Sequence, residues 1–226
     1  MSISKAFTNW LSDAKSFFES LNALGGTFDT FAVDIAPPMS AAAFSSLQDS
    51  LSRQLPPLFR EILTSSTSCA TLRYVWEPPD HLKPALNDVF GERYIYGGGT
   101  LFDSASLALS LNECQESATE SWLADEEFAA DQRFWLRGIP FLRMPNSDYL
   151  AIDPETESVS YLSHDSTSSF VGRDLMAFLN AWQYLGYAGP ETWIIKNFID
   201  TSTGYLSHPD KAQTDGIRRL FGNVPA

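Results

Sequence analysis

The sequence is poor in cysteine and histidine. Its 226 residues include two cysteines and three histidines. Cys69 and Cys114 are too few and too far apart for a disulfide framework or a thiolate metal site, so we expect two reduced, mostly packed thiols. His81, His164 and His208 form none of the HxH, HxxxH or HExxH spacings that place two ligands on one face of a strand or helix. The sequence therefore predicts neither a metal site nor another cofactor.

The chain also lacks a long apolar run. No segment approaches the roughly 20 apolar residues that a helix needs to cross a bilayer. The first residues, MSISKAFTNWLSDAKSFF, alternate polar and apolar side chains, whereas a secretory signal has a basic start followed by an apolar block. We therefore expect a cytoplasmic protein without a membrane partner.

Positive charge is scarce. The chain has 28 Asp and Glu against 15 Lys and Arg, a formal net charge of −13 and a pI of about 4.5. A protein with this charge repels nucleic acid and anionic lipid and is attracted to basic partners. The acidity could equally serve only to keep the protein soluble. The composition thus argues against nucleic acid as a partner and leaves a basic protein open.

Motifs of catalysis are missing as well. No GxSxG pattern marks a nucleophilic serine. No lysine follows Gly97–Gly99, so a flexible turn or a strand irregularity explains this triplet better than a phosphate-binding loop. Asp148 and Asp153 flank YLAI and lie five residues apart, which places them on opposite faces of a regular strand. Turn positions explain these carboxylates better than an acid–base pair, and we predict no catalytic residues; a hydrolase using both with His164 is a third hypothesis.

The first half of the chain contains helix and strand patterns. Apolar residues at helical spacing predict an amphipathic helix from Phe7 to about Leu24, and Ser40 is the predicted N-cap of a second helix. The prolines of LPPLFREIL open a third helix. SCATLRYVWEP alternates as a strand does. We expect NDVFGERYIYGGGTLFDS to hold two short strands around a glycine turn.

The second half repeats this mixture. Residues 104 to about 128 are predicted to be mostly helical, and helices are also predicted for DLMAFLNAWQYLGY, ETWIIKNFID and KAQTDGIRRLFG. Three consecutive strands are predicted for RFWLRGIPFLRMP, YLAID and SVSYLSH, with Asn146 and Asp148 as structural residues of the first turn. Strands in the middle and helices at both ends predict an α+β fold, a central antiparallel sheet flanked by helices. We expect residues 1–45 to be an N-terminal helical extension and residues 46–226 to be the α+β domain.

An acidic run lies between residues 113 and 131, with no lysine, arginine or histidine in it. A solvated helix face is one interpretation. The functional alternative is a surface that docks on a basic protein. The predicted partner-binding residues are Glu113, Glu116, Glu120, Asp125, Glu126, Glu127 and Asp131.

Aromatic residues provide a second candidate site. Most tryptophans lie within periodic segments and are expected in the core. Tryptophan is also enriched in recognition patches. A small ligand could therefore occupy a groove beside the sheet, lined by Trp135, Phe141 and Tyr149.

The order of several segments resembles the SUKH superfamily, which includes fungal cell-wall assembly regulators of the Smi/Knr type. The segments are LPPLFREIL, then GIPFLRMPNSDYLAIDPETESVSYLSHD, then DLMAFLNAWQYLGYAGPETW, and together they cover roughly residues 50 to 200. The tail YLSHPDKAQTDGIRRLFG is similar to the closing segment of some bacterial members. One departure is the first turn, where the family's Asn-Gly-Asp reads Asn146-Ser147-Asp148.

The resemblance implies an antiparallel sheet with helices packed around it and no catalytic machinery. Bacterial members of this superfamily act as immunity proteins that bind and neutralise toxins, many of them nucleases. Because nuclease surfaces are basic, an acidic inhibitor would be attracted to one at long range. The resemblance and the charge together predict a protein-binding module whose partner is a basic toxin domain.

Overall fold

The computed structural model describes residues 2–119, 129–144 and 146–222. Its helices are α1 (Ile3–Ala23), α2 (Ala41–Ser50), α3 (Pro57–Ser65), α4 (Lys83–Phe90), α5 (Leu107–Ser117), α6 (Ala129–Arg137), α7 (Leu175–Tyr184), α8 (Thr192–Ile195) and α9 (Lys211–Phe221). Its strands are β1 (Thr27–Ile35), β2 (Ala70–Glu77), β3 (Ile95–Leu101), β4 (Ile139–Arg143), β5 (Tyr149–Ile152), β6 (Val159–Leu162) and β7 (Ser169–Gly172). Within these ranges no helix is both long and apolar enough to cross a membrane.

The strands form one antiparallel sheet whose spatial order follows the chain from β1 to β7. The junction between β3 and β4 is short, since only Thr100 with Arg143 and Leu101 with Leu142 are paired there. The predicted α+β fold, an antiparallel sheet with helices around it and a helix at the N-terminus, is confirmed. The short junction leaves space beside the sheet, and a pocket described below occupies it.

The N-terminal helix α1 is part of the main core. Ser2 caps it by accepting a hydrogen bond from the backbone N–H of Lys5. The indole of Trp10 donates to the carbonyl of Leu179 in α7 at 2.9 Å. The buried face of α1 consists of Phe7, Trp10, Leu11, Ala14, Phe17, Phe18 and Leu21. The boundary predicted between residues 45 and 46 lies within α2, and β1 pairs with β2, so the predicted extension is integral to the same core.

Strand β2 shows why one face of the sheet remains accessible. Leu72, Tyr74 and Trp76 are buried, whereas the alternate residues Arg73 and Val75 are only partly covered. This is the alternation expected of a half-buried strand. The partly covered face therefore presents Arg73 next to the glycines of β3, with which β2 pairs.

The glycine triplet lies inside β3 rather than in a turn, so the predicted pair of short strands is wrong. Its glycines are required by close backbone approach. Gly98 has φ +82°, and a Cβ there would lie 1.7 Å from the carbonyl oxygen of Leu72. A Cβ at Gly97 would lie 2.2 Å from the carbonyl oxygen of Tyr187, which accepts a hydrogen bond from the N–H of Gly98 at 2.9 Å. The segment that follows α7 thus runs antiparallel beside β3 at this point.

Two segments predicted as strands contain helices. The first is α4, which has Pro84 in its first turn and ends at Gly91 in the left-handed conformation (φ +74°), as helices commonly do. The second is α6, where RFWLR is helical and the N–H of Gly138 donates to the carbonyl of Phe134 before β4 begins. RFWLRGIPFLRMP has so many apolar residues that the change from helix to strand has no clear signal in the sequence except Gly138. Strand β7 was not predicted.

Candidate functional site

The predicted acidic docking surface is not continuous over the described residues. Glu116 is exposed on α5, whereas Glu113 is half-buried. Asp131 in α6 is 2% exposed, and its carboxylate accepts a hydrogen bond from the backbone N–H of Ser168. This carboxylate therefore faces the protein interior and not a partner. Glu120, Asp125, Glu126 and Glu127 lie outside the described residues.

Glu113 connects α5 to the hairpin of β4 and β5. The hydroxyl of Tyr149 donates to its carboxylate, and Arg143 Nη2 lies 3.5 Å from the same oxygen. Burial, and next the hydrogen bond to Glu113, raises the pKa of Tyr149, so the phenol stays protonated and donates. Glu113 is thus a structural contact, and Glu116 is the freer acid of this helix.

The predicted aromatic groove is found in part. Trp135 is fully buried within a small second core and lines no surface groove. Phe141 and Tyr149 do border a pocket of about 380 Å³ at the short β3–β4 junction, although each side chain is itself nearly buried. Arg73 and Arg143 also line this pocket. Its chemistry is therefore mixed, with apolar rings beside cationic side chains.

The hairpin turn between β4 and β5 is built by the two residues predicted for it. Asn146 accepts a hydrogen bond from the N–H of Asp148 at 3.1 Å, and its amide donates to the Asp148 carboxylate at 2.7 Å. Ser147 between them has φ +70°, the conformation that glycine would adopt more easily. The side-chain bonds of Asn146 and Asp148 hold the turn although its central residue is not glycine.

The carboxylate of Asp148 is the centre of a buried hydrogen-bond network. It accepts from the backbone N–H of His164 at 2.9 Å, from His164 Nδ1 at 3.1 Å and from the hydroxyl of Tyr161. Burial alone would raise the pKa of Asp148, but the hydrogen bonds from His164, Tyr161 and Asn146 outweigh it and lower the pKa. Asp148 is therefore ionised at neutral pH and ties the end of β6 to the hairpin turn.

His164 also extends this network to a serine. Its Nε2 lies 3.2 Å from the hydroxyl oxygen of Ser117, so Ser117, His164 and Asp148 stand in the order of a hydrolytic triad. A triad needs donors that stabilise the oxyanion formed on attack. Ser117 is the last residue of α5, where the helix dipole is negative, and Glu116 precedes it. The C-terminal end of α5 therefore does not supply the donors that a helix N-terminus supplies after a nucleophile elbow, although Arg143 lines the cavity that Ser117 and His164 share.

Asp153 belongs to a hydrogen-bond network separate from that of Asp148. Asp153 accepts hydrogen bonds from the N–H groups of Glu155 and Thr156 at 2.8 and 3.1 Å and from Arg137 at 3.0 Å. Burial opposes its ionisation, but these bonds together lower its pKa. It organises the β5–β6 turn.

A second pocket, which the sequence did not indicate, lies on the other side of Arg73. We call it the Trp193 pocket; it has a volume of about 410 Å³. The side chains that line it include Arg73, Tyr94, Tyr96, Asn146, Glu191 and Trp193. Trp193 is 45% exposed and Tyr94 is 55% exposed, two of the largest apolar groups left at the surface. The rings of Tyr96 and Trp193 are 6.3 Å apart and tilted by 58°.

Glu191 gives this pocket its unusual electrostatics. Glu191 is 2% exposed, and its Oε2 has no hydrogen-bond partner among the described residues. Burial raises the pKa of Glu191 to about 7, an effect that the charge of Asp148 reinforces and the charge of Arg73 opposes. The carboxyl group is therefore poised to take or lose a proton near neutral pH, and a perturbed acid in a concave site is a mark of function.

The sequence did not indicate the Trp193 pocket. GPETW places an acid and a tryptophan two residues apart directly after a proline, but the pattern predicted only the start of a helix. The pocket lies where the segment after α7 pairs antiparallel with β3 at Gly97. A contact between residues 97 and 188 has no local sequence signature.

Comparisons of the chain with protein-family models, with curated proteins and with solved structures gave no match. Within the described residues, no group of three His, Cys, Asp or Glu side chains is placed to hold a metal ion. The two pockets and the charge of the chain are therefore the observations that bear on its function.

Proposed function

We propose that this chain is a non-enzymatic binding module that docks on a basic protein, and that the partner is a nuclease-type toxin which it neutralises as an immunity protein. The resemblance to the SUKH superfamily supports this function. A regulatory scaffold is the alternative within the same class. Both functions require a surface that recognises another protein.

The observation that carries the proposal is the pair of exposed aromatic side chains at the Trp193 pocket. Tyr94 and Trp193 border the same cavity, with Tyr96 beside them. Tryptophan and tyrosine dominate the binding energy of protein interfaces, because they bury a large area at a low entropy cost. Exposed rings that converge on one concavity are therefore suited to anchor a partner.

The net charge supports a basic partner. A chain of −13 attracts a cationic surface from a distance, and this attraction mainly accelerates association. Glu116 on α5 contributes an exposed carboxylate to this field. The association rate should fall with added salt, because the Debye length shortens from about 30 Å at 0.01 M to about 8 Å at 0.15 M.

Co-expression with each candidate toxin found in the genes beside that of this chain tests this proposal. We expect the toxin domain to co-purify with the chain and cells carrying both to grow, whereas cells carrying the toxin alone die. Trp193→Ala should reduce protection, and Leu109→Ala, which removes an exposed apolar side chain from α5, serves as its control. No binding and no protection against any neighbouring toxin would contradict the immunity function.

A small-ligand function is favoured by a different observation, the pocket of about 380 Å³ bordered by Phe141 and Tyr149. Apolar rings beside Arg73 and Arg143, with Asp103 as the one acid of the described lining, suit an anion with an apolar body. Native mass spectrometry of the purified protein tests this function. A bound small molecule that is lost in Arg143→Gln would favour it over a protein partner.

A further inference from the structure

The Trp193 pocket contains a buried carboxylate that lacks a neutralising partner. Glu191 Oε2 accepts no hydrogen bond from the described residues. Arg73 lines the same pocket and lowers the pKa of Glu191 through its charge, yet it does not bond to this oxygen. A buried acceptor without a partner is destabilising, so a ligand that donates to Oε2 gains an interaction that the protein itself does not supply.

The remaining walls of the pocket suit a cation. Tyr94, Tyr96 and Trp193 contribute aromatic rings, whose faces carry negative charge and attract ammonium and guanidinium groups. Gly97 and Gly98 line the pocket without side chains that would fill it. Aromatic walls around a carboxylate are the combination that recognises an organic cation.

We infer that the Trp193 pocket binds the guanidinium or ammonium group of an alkyl chain, presented as an arginine or lysine side chain of the basic partner. This inference rests on the proposed function, since it identifies the part of the partner that enters the site. The cation would pair with Glu191 while its alkyl chain packs between Tyr94 and Trp193. Arg73 is the one cation of the described lining and opposes binding.

The raised pKa of Glu191 gives cation binding an expected pH dependence. A bound cation stabilises the carboxylate, so binding should release a proton when Glu191 is protonated beforehand. The charged groups that influence Glu191 are Arg73 of β2 and Asp148 of the hairpin, and Tyr94 and Tyr96 lie beside it at the start of β3. Affinity should therefore rise between pH 6 and pH 8, on the order of tenfold.

Isothermal titration with capped amino acids tests the inference without the partner. The probes are Nα-acetyl-L-arginine N-methylamide and Nα-acetyl-L-lysine N-methylamide, with the uncharged citrulline analogue as the matched ligand control. At pH 8 we expect at least one cation to bind at least tenfold more tightly than citrulline. Glu191→Gln should remove this preference, Arg73→Gln should strengthen cation binding, and the exposed carboxylate variant Glu19→Gln should leave it unchanged.

Each contrary outcome overturns a defined part of the inference. Equal affinity for arginine and citrulline, or full cation binding by Glu191→Gln, would show that the pocket does not recognise charge. Weaker binding by Arg73→Gln would indicate an anion site. Tighter binding of free agmatine than of the capped arginine would show that the ligand is a small-molecule amine and not the side chain of a protein partner. Capped arginine that binds while no toxin does would instead contradict the proposed function alone.

Discussion

His164 and Asp148 contact each other twice: Asp148 Oδ1 accepts from the backbone N–H of His164 at 2.9 Å and lies 3.1 Å from its Nδ1. The contact joins residues 16 positions apart, at the end of β6 and at the turn between β4 and β5. Asp148, which looks catalytic in the sequence, is therefore a structural residue, and we call its contact with His164 the clamp.

Removing the Asp148 carboxylate should lower the free energy of unfolding. Asp148→Ala leaves the N–H of His164, the hydroxyl of Tyr161 and the amide of Asn146 without their acceptor. We expect a loss of about 3 kcal/mol in the free energy of unfolding, measured by urea denaturation. Asp165→Ala, which removes an exposed acid next to His164, should change it by less than about 0.5 kcal/mol. Equal effects of the two substitutions would contradict the clamp.

The Ser117–His164–Asp148 arrangement should not hydrolyse esters. The C-terminal end of α5 and Glu116 place negative charge beside Ser117. We expect p-nitrophenyl acetate to be cleaved no faster by the wild type than by Ser117→Ala, at equal protein concentration and pH 8. A rate that depends on Ser117 would overturn the non-enzymatic proposal.

Glu191 should make the protein less stable as the pH rises. Its pKa is raised from 4.5 to about 7 on folding, so the folded state binds the proton more tightly than the unfolded state. The stability that this provides is complete below pH 4.5 and is lost as the pH rises to 7. Glu191→Gln should therefore match the wild type at pH 4 and exceed it by about 3 kcal/mol at pH 8.

Urea denaturation of both proteins at several pH values measures this difference. Comparing the two proteins cancels the titration of Asp148 and Asp153, whose lowered pKa values reduce stability below about pH 4 in both. Glu19→Gln is the control, because its carboxylate is exposed on α1. If the free energies of unfolding of Glu191→Gln and the wild type differed by a constant amount from pH 4 to pH 8, the raised pKa of Glu191 would be contradicted.

The glycine triplet should tolerate no side chain at its centre. Gly98→Ala places a Cβ 1.7 Å from a backbone oxygen of β2, which only a shift of the sheet can relieve. We expect an insoluble protein or a loss of more than about 4 kcal/mol. Gly91→Ala has a similar φ but open space around it, so it should lose only about 1 kcal/mol. Thermal denaturation measures the loss of stability in each variant. Similar losses at both glycines would contradict the close packing of β3 against β2.

The predictable part of this fold is what neighbouring residues determine. The alternation of β2, the periodicity of α1 and the Asn146–Asp148 turn follow from patterns a few residues long. The class of fold follows from the order of such elements. The helix in RFWLR was missed because apolar residues at nearly every position carry no clear period.

The site was harder to predict because its residues meet only in three dimensions. Glu191 and Trp193 reach Tyr94 because residues 187–189 pair antiparallel with β3, which no local pattern encodes. Asp131 looked like a surface acid because it ends an acidic run, yet it is buried and bonded to a distant loop. Charge clustering in a sequence therefore did not identify which acids are exposed.

We propose that this acidic chain binds a basic toxin through the Trp193 pocket. The test is the dissociation constant of the wild type, Trp193→Ala and Glu191→Gln for a toxin domain from a neighbouring gene, at pH 8 and 0.15 M salt. We expect tight binding by the wild type and at least tenfold weaker binding by both variants, with Glu19→Gln unchanged. Wild-type affinity in both pocket variants, or no binding by the wild type, would contradict it.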